Sequence, residues 1–103
     1  MKFEFEPKLI DFIKKHGHKT IVVESVEISN SDFEVNELHV HFVNERMRQQ
    51  FVEQKRYRSY MTEYCEILFP PYPIKTEDVV TFGLKSVLFF HSITYKGIDY
   101  KYS

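Results

Sequence analysis

The chain predicts an α+β fold: a compact single domain over residues 1–103 with an N-terminal helix and about six or seven mainly antiparallel strands. Three observations carry this expectation. A length of 103 residues supports one hydrophobic core without disulfides or a structural metal. Ten Phe and seven Tyr bring the aromatic content to 17%, and aromatic side chains favour strands and bury large areas. The stretch 63–102 is dense in β-branched and aromatic residues, and three Gly and four Pro in the whole chain argue against low complexity.

Lys2 to Phe5 alternates polar and apolar residues and reads as a short strand. Glu6-Pro7 then opens a helix, because proline is tolerated in the first turn and acidic residues suit a helix N-terminus. Leu9, Ile10 and Ile13 line one face of it. Lys14, Lys15 and His16 load its last turn, and Gly17 sits where a helix C-cap belongs. Thr20 to Ile28 is β-branched and reads as a strand, Ser29 to Asp32 as a turn, and Val35 to Val43 as a second strand, so a hairpin is the simplest arrangement.

Asn44 to Met61 carries a weaker pattern. Asn44 can cap a short helix near 44–58, with Met47 and Phe51 spaced four apart. Glu63 to Phe69 reads as a strand that Pro70-Pro71-Tyr72-Pro73 breaks. Val79 to Leu84 and Val87 to Tyr95 read as strands, Lys96-Gly97 as a turn, and Ile98 to Tyr102 as a final edge strand. The core expected from these patterns is Ile21, Val23, Val26, Leu38, Val40, Phe42, Ile67, Phe69, Val80, Phe82, Leu88, Phe90 and Ile93.

The net charge of −1 gives no global drive toward nucleic acid or an anionic membrane. A single cysteine excludes an internal disulfide and any site needing several cysteines from one chain. The N-terminal residues lack the long apolar stretch of a signal peptide, and no window reaches the length of a membrane span, so a cytoplasmic protein is expected.

No nucleophile elbow, Walker loop or dinucleotide fingerprint is present. Cys65 lies between Tyr64 and Glu66 in an expected strand, where a buried, inert thiol is the ordinary outcome. Four of the five histidines form two His-x-His pairs, His16/His18 and His39/His41. Residues i and i+2 of a strand share a face, so His39 and His41 could reach one metal ion, with Glu37 on the same face. Were the pairs to meet, with Cys65 as a further ligand, the donor set would suit Zn, Fe or Ni. Solvent-facing strand positions accept histidine without any ligand, which is the plainer reading.

A second candidate is the basic segment Arg46, Arg48, Arg56, Tyr57 and Arg58, with Lys55, Phe51 and Tyr60 interleaved. Arginines beside aromatics can hold phosphates while bases stack. Glu45, Glu53 and Glu63 dilute the patch, and a solvated helix face is the common explanation.

Several features together resemble the small HesB-like proteins, relatives of the A-type iron–sulfur carriers. They are the Tyr64–Phe69 strand ending in proline, the Glu77-Asp78-Val79-Val80 step, and Leu88-Phe89-Phe90 leading to Tyr95-Lys96-Gly97-Ile98. The N-terminal helix followed by the Thr20–Val26 strand is similar too. The resemblance implies a HesB-like β-rich core. The carriers hold their cluster with three cysteines, and this chain has none after Cys65, so no iron–sulfur cluster is expected. The functional expectation is a non-enzymatic cytoplasmic binding or adaptor protein. The alternatives are metal binding through the His-x-His pairs, and polyanion, RNA or protein binding through segment 46–60. The expected partner is a protein or a small ligand, not a membrane and not nucleic acid, with homodimerisation through the Ile98–Tyr102 edge strand as a further option.

Overall fold

The computed structural model describes residues 2–29, 34–72 and 74–99. In chain order they form β1 (Lys2–Phe5), α1 (Pro7–His16), β2 (Thr20–Ser29), β3 (Glu34–Phe42), α2 (Glu45–Gln49), a π-helical turn (Gln50–Gln54), β4 (Arg58–Met61), β5 (Glu66–Phe69), β6 (Lys75–Val87) and β7 (Phe90–Asp99). This is the expected α+β class. Pro7 opens α1, and Gly17 closes it with φ 68, a left-handed backbone that costs glycine nothing. The Asn44 carboxamide oxygen accepts the Met47 N–H at 2.9 Å and so caps α2.

The strands form two mixed sheets, one in the order β1-β6-β7 and one in the order β3-β2-β5-β4. The β2–β3, β4–β5 and β6–β7 pairs are antiparallel; β1–β6 and β2–β5 are parallel. The sheets face each other across a core of Leu9, Ile13, Ile21, Val23, Cys65, Ile67, Phe69, Val80 and Phe82. Phe3 ties them together, with ring centroids 5.9 Å from Phe69 on one sheet and 6.1 Å from Phe82 on the other. The outer face of the four-stranded sheet is covered as well. There Val22 and Leu68 pack under Val43, Phe51 and Tyr57. The strand period of two therefore directs alternate residues of β2 and β5 into two separate cores.

Four expectations change. The second helix expected near 44–58 forms as α2 running into the π-helical turn, and ends at Gln54, short of β4. It stops because Arg56 turns left-handed (φ 57) and the Tyr57 N–H bonds the Phe51 carbonyl at 2.9 Å, docking the Tyr57 ring on the sheet. The Glu63–Phe69 strand begins only at Glu66. Lys96-Gly97 is no turn but part of β7: Gly97 has φ 90, and a Cβ there would lie 2.4 Å from the Val79 carbonyl oxygen. It marks an irregularity where the β6–β7 register shifts between Thr76 and Thr81. The reversal lies instead at Leu88-Phe89, so Leu88 and Phe90, expected in the core, are exposed. Two expectations fall partly outside the described residues: Asn30–Asp32 of the expected turn and Tyr100–Tyr102 of the expected edge strand.

Candidate functional site

Val87 pairs with Phe90, which leaves Leu88-Phe89 as a two-residue hairpin loop. Such loops ordinarily place Gly, Asn or Asp at left-handed positions, because a Cβ is strained there. Here Leu88 takes φ 54. Val87, Leu88, Phe89 and Phe90 are 53%, 87%, 93% and 75% exposed. A single exposed apolar residue is ordinary; four in a row at a protruding tip are not.

The base of this hairpin meets the end of α1. The Phe12 ring lies 4.9 Å from His91, 4.4 Å from His16 and 5.6 Å from His18, centroid to centroid. His18 stacks on Phe42 at 3.9 Å with the rings 7° from parallel. Burial, and then the neighbouring His16, hold the His18 pKa below the usual histidine value. Between these rings and Leu84, Ser92 and Ile93 runs an open groove of 280 Å³. His91 is steadied by the Ser86 hydroxyl at 2.8 Å.

The structure does not unite the two His-x-His pairs as a ligand set, although His18 and His41 both line the groove. His16 and His18 lie beside Phe12, 5.9 Å apart. His39 and His41 are paired across β2 with Glu24 and Val22, residues of the sheet's other face. His39 bonds Glu37 and His41 bonds Glu24, each at 3.1 Å. Cys65 is buried in the main core, and burial pushes its thiol up to about 11, with the Glu66 charge adding and a bond to Thr62 opposing. Among the described residues, no three His, Cys, Asp or Glu side chains stand together as a metal would require.

Two members of the basic segment are tied into the fold. Arg48 is committed to Glu66, with Nε 2.5 Å from Oε1 and Nη2 2.9 Å from Oε2. Glu66 is buried, and it also accepts from the Ser59 hydroxyl and from Thr20 Oγ1 at 3.2 Å. Four donors hold this carboxylate, Arg48 above all, and its pKa sits below the usual glutamate range. Tyr57 is buried against Phe51, with ring centroids 4.8 Å apart, and its desolvated phenol is raised well above the usual tyrosine value. Arg46 and Arg56 are exposed. Arg58 borders a cleft of 310 Å³ with Tyr60, Phe69, Pro70, Tyr72 and Thr76, at the edge of the core.

Sequence patterning misses the hairpin tip because Val87 to Phe90 is apolar throughout and extends a strand pattern on either side. The available signal is symmetry: Lys85-Ser86 and His91-Ser92 bracket the run, which places a reversal at its centre. Glu66 is missed because a carboxylate beside Cys65 in a strand reads as solvent-facing. No protein-family model matches this chain, and neither the curated proteins nor the solved structures contain a match.

Proposed function

We propose that this chain is a non-enzymatic binding or adaptor protein whose docking element is the tip of the β6–β7 hairpin. One observation carries the reading: Leu88, Phe89 and Phe90 are each at least three-quarters exposed at a convex end of the fold. Transfer of one such side chain out of water is worth about 1.5–3 kcal/mol. The three together hold roughly 5–9 kcal/mol of gross binding free energy, before the costs of association. The backbone strain at Leu88 adds about 1–2 kcal/mol against the fold. Glycine or asparagine at the turn would serve the hairpin better, so the apolar tip serves contact with something else. The core placement of Cys65 and the internal commitments of Arg48 and Tyr57 support this surface over the thiol and over the basic segment.

Photo-crosslinking tests the reading. With benzoylphenylalanine at position 89, irradiation in an extract of the source cells is expected to give a discrete protein or lipid adduct. The same group in place of the exposed Glu77, toward the other end of β6, is expected to give none. No adduct from position 89, or the same adducts from both positions, overturns it.

A further inference from the structure

The hairpin tip stands within an unusual distribution of charge. Residues 12–23 and 79–98, which supply the end of α1, the start of β2 and nearly all of the hairpin, contain five lysines and three histidines and no carboxylate. The chain as a whole carries a net charge of −1. The contact of Phe12 with His91 brings the end of α1 against the hairpin, while Lys96 pairs with Thr81, away from the turn, and Lys14 lies 6.0 Å over the Tyr64 ring. Lys85 alternates with Val87 along β6, on the side opposite Ser86 and His91. Lys15, His16, His18 and Lys19 follow on the neighbouring helix end and loop, all exposed but His18, which is half-buried.

Resting on the docking role proposed above, we infer that the tip inserts into an anionic lipid surface, with the basic residues at its base facing the headgroups. Two features select this occupant. The first is shape. Val87 and Phe90 form a cross-strand pair, while Leu88 and Phe89 cap the turn beyond them, so the tip is apolar at its apex as well as on its face. A protein groove dries one side of an inserted finger; a bilayer surrounds it. Two residues at the strand rise give a depth of about 7 Å, which matches the interfacial depth reached by peripheral membrane segments. The second is charge. An apolar tip with Lys85 beside Val87 on one face, and Lys15 and Lys19 on the neighbouring helix end and loop, complements phosphatidylserine or phosphoinositide headgroups, and each lysine near such a surface adds attraction that salt weakens. The small net charge of the chain conceals this local asymmetry.

The chain has no tryptophan, so Phe89→Trp places a lone reporter at the apex. Titrated with phosphatidylserine-rich vesicles at low salt, its emission is expected to shift to the blue and to be quenched by lipids brominated in the upper acyl chain. Binding is expected to be about tenfold weaker to pure phosphatidylcholine vesicles, and to weaken as salt is raised. Unaltered protein is expected to co-sediment with the anionic vesicles. A Leu88→Ser, Phe89→Ser, Phe90→Ser variant with an undiminished melting temperature is expected to remain in the supernatant. Absence of both the blue shift and co-sedimentation overturns the inference. So does equal binding to neutral vesicles, or a blue shift that follows protein concentration without lipid, which would assign the tip to a second copy of the chain. A protein adduct in the crosslinking experiment with silent vesicles removes the lipid assignment alone; silence in both removes the docking role as well.

Discussion

Cys65 shows how position overrides residue type. A lone thiol invites a catalytic or ligand reading, yet this one is 5% exposed within the main core. Burial raises it to about 11, chiefly because a thiolate there would lose its hydration. At neutral pH it holds very little of the reactive anion. Ellman's reagent is therefore expected to modify the native protein about 100-fold more slowly than the protein in denaturant. Equal rates would show that the thiol is open to solvent. Leu88 is the opposite case: a residue type made for cores, held in water in a backbone conformation it disfavours.

Between elements, the decisive contact joins α2 to the four-stranded sheet. Glu66 opens β5, Thr20 opens β2, Ser59 lies on β4 and Arg48 on α2, and all three partners converge on one buried carboxylate. The network holds α2 and its π-helical turn over Val22 and Leu68, which lets Phe51 and Tyr57 close the second core. Glu66→Gln leaves the Arg48 guanidinium with only the exposed Glu45 carboxylate, 3.5 Å away, as counter-charge. Arg48 remains 31% exposed, so the loss is expected at about 2–4 kcal/mol, below that of a fully buried pair. Replacing both partners, Glu66→Leu with Arg48→Met, is expected to cost less than Glu66→Gln alone, because no charge is then stranded. Urea denaturation followed by circular dichroism measures both, and an equal or larger loss in the double variant would show that the pair itself is the stabilising unit.

For the molecule as a whole, pH acts through two groups in the same direction. The native pKa of His18 lies below its unfolded value, so the unfolded chain takes up the proton first. That penalty is absent above the ordinary histidine value of about 6.5 and grows as the pH falls through it toward the native value. The native pKa of Glu66 is also depressed. Its contribution is full above the ordinary glutamate value of about 4.3 and is lost as the pH falls through the lower native one. The melting temperature is thus expected to hold near pH 7, decline on moving below about 6.5, and decline again below about 4.3. His18→Gln is expected to remove the first decline and leave the second. A variant with the same first decline as the parent would refute the assignment to His18.

The features legible from the residues alone are those that short-range physics controls. Pro7 and Gly17 bound α1, Asn44 caps α2, and alternation in Thr20–Ile28 and Val35–Val43 yields a strand pair whose register runs from Ile21↔Phe42 to Ser29↔Glu34. Each of these signals acts within a turn or along one strand. Whatever depends on what covers a face is set by packing between distant segments. Ile67 and Leu68 are both fully buried because the sheet is covered on both sides. Glu66 is internal because Thr20, 46 residues earlier in the chain, and Arg48 meet it there. Gly97 lies within β7 where a Cβ would meet the Val79 carbonyl, and the reversal falls at Leu88-Phe89. The two histidine pairs do not form one donor set among the described residues, and Arg48 and Tyr57 turn inward, for the same reason: shared spacing places side chains on a face, whereas only packing between distant segments decides which faces meet.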